Sequence, residues 1–156
     1  MPFDYLPIFA EKAAGKPARK LVRPSRKGWV PEVPDLGSAI IALLTSAAVR
    51  TPEQPRFIPP EDTSYRPIPA EADSTDLVMD HTSPLGGTPR QDQEVVFPRA
   101  ALMSLAKRGL IRSMASTAFS FVGGTRNHHG VEKELAPALA AELRKENVTL
   151  ALLVPF

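Results

Sequence analysis

The chain has 156 residues, a formal net charge of +2 and 43% hydrophobic residues, enough for one sizeable core and a single domain. So small a positive excess does not describe a nucleic-acid-binding face. There is no cysteine, so neither a disulfide framework nor a thiolate metal site can form within these residues, and any thiol chemistry must draw its thiol from elsewhere.

At the N-terminus Asp4 stands between Pro2 and Pro7, without the basic-then-apolar order of a signal peptide. The longest apolar run, around residues 39–44, is far shorter than the roughly 20 residues that cross a bilayer. A soluble, cytoplasmic protein with no membrane partner is expected. Fifteen of the 17 prolines lie at or before Pro98. Each fixes φ and removes a donor, which predicts a loop-rich first part. Residues 1–37 read as a basic, proline-containing arm: Lys12, Lys16, Arg19, Lys20, Arg23, Arg26 and Lys27 are broken by Pro17 and Pro24 and followed by Trp29. A charge run of this kind suits a solvated arm that wraps the domain or docks on a partner.

Residues 38–156 read as an α/β domain. The stretch SAIIALLTSAAV (38–49) is continuously apolar, with β-branched Ile40, Ile41 and Thr45, and predicts a strand buried on both faces, a short buried helix being the alternative. A proline-rich loop is expected over 51–74, because the prolines of PRFIPPEDTSYRPIP (55–69) should forbid a ladder. Residues 75–81 form a second strand candidate, halted by Ser83-Pro84-Leu85-Gly86-Gly87.

Beyond Pro98 the pattern changes to alternating helix and strand. Pro98 suits a first helical turn, Leu102, Leu105 and Ala106 share a face, and Gly109 offers a left-handed stop. Residues 118–122, AFSFV, are a third strand, ending at Gly123-Gly124. Val131, Leu135, Leu139 and Leu143 then recur every fourth residue as a stripe for packing on a sheet. Pro137 interrupts that stripe, so the regular helix should begin only near it, and Asn147 should close it. Residues 148–154, VTLALLV, are a fourth apolar strand. The alternation argues for an open, mostly parallel sheet, a Rossmann- or flavodoxin-like half joined by right-handed crossovers. A strand so apolar is expected in a sheet's interior, so the domain reads as incomplete at its C-terminus.

Four segments in order, ALLTSAAV (42–49), EDTSYRPIP (61–69), DLVMDHTSPLG (76–86) and EVVFPRAAL (94–102), followed by FSFVGG (119–124) and VTLALLVPF (148–156), resemble the glycine/sarcosine/betaine/D-proline reductase family. The likeness is to the N-terminal portion of its selenoprotein B-type subunit and runs from about Trp29 to the last residue. It implies a subunit of an amino-acid reductase complex that cleaves a C–N bond reductively, with a disulfide-type acceptor. The nucleophile would be a selenocysteine or cysteine placed just after Phe156, and no catalytic residue is expected within the chain. A pyruvoyl group on a partner subunit, a thiol or selenol redox carrier and an amino-acid-type substrate are the implied cofactor and partners. One reading of the chain's length is an in-frame UGA codon read as a stop, which would leave the present polypeptide inactive alone. The alternative, from another class, is a catalytically silent α/β module that binds a partner through its loops and arm.

In open α/β sheets ligands sit at the carboxyl ends of strands. That rule nominates Thr45, His81 and Gly123 as pocket walls. Arg66 could clamp a substrate carboxylate or pin the proline-rich loop through a backbone carbonyl. The pair His128-His129 completes no zinc motif and no metal is assigned to it. Gly123-Gly124 lacks the spacing of a dinucleotide cradle, and no Ser-His-Asp grouping appears.

Overall fold

The computed structural model describes residues 35–81 and 91–156, so residues 1–34 of the basic arm and the turn expected at 83–87 lie outside the described residues. The long apolar stretch divides in two. Its first part is β1 (Ile40–Thr45), and after a turn in which Ala48 takes a left-handed φ of 54° the chain forms the short β2 (Val49–Arg50). β1 is the centre of the main sheet, with Ala42, Leu43 and Thr45 all 0% exposed. Along one edge it pairs in parallel with β5 (Ser113–Met114) and then β6 (Thr117–Phe121); along the other it pairs in parallel with β7 (Leu150–Val154). Ile40 faces Ser113 but Leu44 faces Phe119, so the partner register slips by two residues where β5 gives way to β6. The slip is an irregular extension of one strand, held by a hydrogen bond from the Ala115 N–H to the Ile41 carbonyl at 2.8 Å.

The alternation of side chains along β1 supplies two cores. Ile41 and Leu43 join Phe97, Leu102 and Ile111 beneath α1 (Arg99–Lys107), while Ala42 and Leu44 join Phe119, Leu135 and Leu139 beneath α2 (Ala136–Lys145). The result is a three-layer α/β arrangement with a mostly parallel sheet, as the alternating pattern predicts. Both helices stop on left-handed residues, Gly109 at φ 69° after α1 and Asn147 at φ 54° after α2. Regular α-helix begins at Ala136, and the preceding Val131–Leu135 is π-helical, because Pro137 has no N–H with which to continue an α-helical ladder backwards.

Two expectations are corrected. The prolines of 55–69 do not forbid a ladder: β3 (Tyr65–Pro69) pairs antiparallel with β6 over five residues. β3 is the outer strand, and Pro67 and Pro69 occupy alternate positions, so the missing donors face away from β6 while Arg66 and Ile68 supply the ladder. The second strand shrinks to β4 (Val78–Met79), which pairs antiparallel with β2 in a separate two-stranded sheet, because a 3-10 turn at Ser74–Asp76 uses the residues before it. β7, expected inside a larger sheet, stands at the edge of the one described. Its only strand partner among the described residues is β1, and Leu152 and Leu153 are 39% and 59% exposed.

Candidate functional site

The carboxyl ends of β1, β6 and β7 converge on Ser46. Its backbone N–H donates to the Val154 carbonyl at 3.1 Å and its carbonyl accepts from the Gly123 N–H at 2.8 Å, tying all three strand ends together. Its hydroxyl accepts from the Phe156 N–H at 2.8 Å and lies 3.4 Å from the Phe156 carbonyl. Gly123 is required here for space: a Cβ at that position would come within 2.7 Å of the Phe156 carbonyl oxygen and 3.0 Å of the Ser46 oxygens. The His81 ring meets the Phe156 ring edge to face, with centroids 4.9 Å apart. Gly123 and His81 are thus brought together around Phe156. Thr45 is one residue away and fully buried, its hydroxyl accepting from the Ala47 N–H at 3.2 Å.

Arg66 stands apart from this cluster. Its guanidinium donates to the carbonyls of Pro55, Arg56 and Tyr65 and to the Ser64 hydroxyl, and lies 4.3 Å over the Phe57 ring. The geometry displays the loop-pinning role. His128 and His129 are exposed on a helical turn capped by Asn127, whose side chain accepts from the Gly130 N–H at 2.8 Å. Among the described residues no three His, Asp or Glu side chains converge as a metal site.

The strongest electrostatic feature near the cluster was not singled out in the sequence. Asp80, beside His81, is 3% exposed at its side chain and receives Arg50 Nε at 2.7 Å and the Phe57 N–H at 3.0 Å, with Arg56 Nε 3.5 Å away. Burial alone would raise the Asp80 carboxyl pKa, but the hydrogen bonds from Arg50 and Phe57 and the charges of Arg50 and Arg56 outweigh it and hold the group below its ordinary value of 3.8. Arg50 also donates through Nη1 to the carbonyls of Thr51, Pro52 and Gln54. The pair therefore fixes both the course of the proline-rich loop and the backbone that presents His81. A thirty-residue separation between Arg50 and Asp80 leaves no local sequence signal for it.

Two clefts open elsewhere. One of about 320 Å³ lies between β3, β6 and the C-terminal turn of α2, where Tyr65, Glu142 and Lys145 meet. The other, of about 400 Å³, lies against the last turn of α1 and residues 113–116. Both are at the amino-terminal side of the parallel strands, away from Ser46 and His81. No helix among the described residues is long and apolar enough to cross a membrane.

No family model matches the chain, and no solved structure matches it. Among curated proteins it is similar to the D-proline reductase subunit gamma of Acetoanaerobium sticklandii, 31% identical over 125 residues, or 80% of this chain. The match spans 52% of that subunit, about half its length. This likeness supports the reductase family that the ordered segments resemble.

Proposed function

We propose that the chain is the scaffold section of a selenoprotein B-type subunit in an amino-acid reductase complex acting on a substrate of the D-proline, glycine, sarcosine or betaine kind. The observation that carries this reading is the 31% identity to a D-proline reductase subunit over 80% of the chain. Reductive cleavage of a C–N bond consumes two electrons: the carbon gains a hydrogen, the nitrogen takes the electron pair of the broken bond and a proton where it is not quaternary, and a selenol–thiol or dithiol pair is oxidised to the corresponding bridge. A selenocysteine or cysteine past Phe156 would supply the nucleophile, and a pyruvoyl group on a partner subunit the electrophile.

The residues present suit the first of these groups. Ser46 anchors the backbone of Phe156 at the carboxyl end of a parallel strand, and Gly123 leaves the space beside it free of a side chain. A nucleophile emerging there would stand beside the His81 ring. Asp80 and Arg50 would act on the reaction only through the position of His81.

Labelling cells with radioactive selenium tests the reading. The expected result is a selenium-bearing polypeptide longer than 156 residues, recognised by an antibody to this chain and co-purifying with a reductase activity that opens the ring of D-proline to a 5-amino acid or releases amine from an acyclic relative. An unlabelled 156-residue product as the sole species, with no C–N bond reduced, would instead favour the silent partner-binding module.

A further inference from the structure

Arg99 opens α1 and is buried to 8% exposure. Arginine is almost never buried without a partner, because its charge cannot be removed by deprotonation and loses its hydration on burial. Here Nε and Nη1 are sealed from solvent with no hydrogen-bond acceptor among the described residues. The contrast with the other buried arginine is sharp: Arg50, also 8% exposed, reaches the Asp80 carboxylate and three carbonyls.

Neighbouring groups do not discharge Arg99. Glu94 is committed to the helix start, both its oxygens accepting from the Ala100 N–H at 2.9 and 3.1 Å. Asp73 feels the Arg99 charge but makes no ion pair with it within 4.0 Å, and its carboxylate accepts from the Thr75 N–H and hydroxyl instead. Gln93, on the turn before α1, has its own Oε1 buried without a partner while its Nε2 donates to the Leu77 carbonyl at 2.7 Å. An amide oxygen, or a water beside it, could accept a hydrogen bond but would leave the positive charge uncompensated.

We propose that Arg99 is the anion-recognition residue of the chain and takes the carboxylate of a small substrate. The choice of a carboxylate over other anions rests on the amino-acid-reductase reading. Position favours it as well: α1 runs back towards the start of β5, so its first residue lies on the carboxyl-end side of the sheet. Phe97, two residues before Arg99, shares a core with Val154 and Phe156. The unpartnered Gln93 oxygen on the same segment suits the cationic amine of an amino acid, which donates where the carboxylate accepts.

Thermal unfolding of the full chain at fixed ionic strength tests this, with acetate and D-proline as probes and chloride as the control. Both probes are expected to raise the melting temperature beyond chloride, with D-proline the more effective. In Arg99→Met, binding should weaken by about tenfold or more, and the free variant should melt no lower than wild type, since an uncompensated buried charge has been removed. Arg99→Lys, which keeps the charge, should retain part of the response and serves if the Met variant fails to fold. A wild-type response no larger than that of chloride overturns the proposal whatever the variants do. So does an Arg99→Met chain that still responds, or one that melts lower than wild type by the same margin as Asp73→Asn, which would identify a structural ion pair. Carboxylate binding without any selenium-labelled or C–N-reducing species would sink the reductase reading and leave the Arg99 site standing; the converse result would do the opposite.

Discussion

β1 and β7 lie side by side, paired over five residues, and match apolar residue for apolar residue: Ile41 with Leu150, Ala42 with Ala151, Leu43 with Leu152, Leu44 with Leu153. Yet Leu43 is 0% exposed and Leu152 39%. The difference lies in their neighbours. β1 has strands on both edges and a helix over each face, whereas β7 has β1 on one edge and no other strand partner among the described residues. Continuous apolarity in a strand records a demand for cover on both faces, and the same letters meet that demand in one strand and leave it open in the next.

The largest effect is expected where β1 continues into β2. Asp80→Asn leaves the Arg50 guanidinium buried without its counter-charge and should cost about 3–5 kcal/mol in urea unfolding. The same pair gives the β1 side an acid sensitivity. The folded Asp80 carboxyl sits below its ordinary 3.8, so its contribution is complete above that value and is lost as the pH falls through the lower, folded one. Asp62 and Glu146 are also held low: burial raises both, and hydrogen bonds from Ser64 and Ile58 to Asp62, and from Ser116 and Thr117 to Glu146, overcome it. Asp80→Asn should therefore flatten the acid loss of stability without abolishing it, as a urea-midpoint series taken down through pH 3.8 would register.

The direct comparison uses the facing pair. Leu43→Ala should cost about 2–5 kcal/mol through lost burial and a cavity, and Leu152→Ala under about 1 kcal/mol. Equal costs would show that β7 is covered in solution and would break the contrast. Ser46→Ala severs the side-chain link between the two strand ends and strands the Phe156 N–H, for about 1–3 kcal/mol. Its signature is faster amide exchange at residue 156 and a shifted His81 ring resonance. Smallest of all, Leu153→Lys should leave unfolding within about 0.5 kcal/mol of wild type and raise the solubility limit, because a charge on an open apolar edge discourages edge-to-edge pairing.

What the sequence made legible was what depends on local rules. The buried strand at 40–45, the helix stop at Gly109, the delayed start of α2 at Pro137 and its close at Asn147 all follow from residue type and spacing. The proline-bearing β3 was not legible, because whether a proline breaks a ladder depends on which edge its missing donor faces, and that is a property of the assembled sheet. The same holds for the site. Gly123 and His81 could be nominated from strand ends, but the central Ser46 looked like any serine after a strand. Arg50 and Arg99, equally buried, differ only in what tertiary packing brings to them. Arg66, chosen for its place in an unusual segment, has four acceptors within its own loop and strand.

The π-helical stretch before α2 settles an angular problem that a four-residue repeat creates. With 3.6 residues per turn, side chains spaced every four residues in an α-helix advance around its axis by about 40° per repeat, so a stripe of four would wander off the sheet by its end. The wider turn of Val131–Leu135, closed by longer-range bonds, holds more residues and rotates the stripe the other way. Val131, Leu135, Leu139 and Leu143 consequently all reach the core that Ala42, Leu44 and Phe119 build on the sheet. Pro137 is thus more than a helix breaker in this chain: by forcing the turn ahead of it to widen, it sets the phase at which α2 meets the sheet.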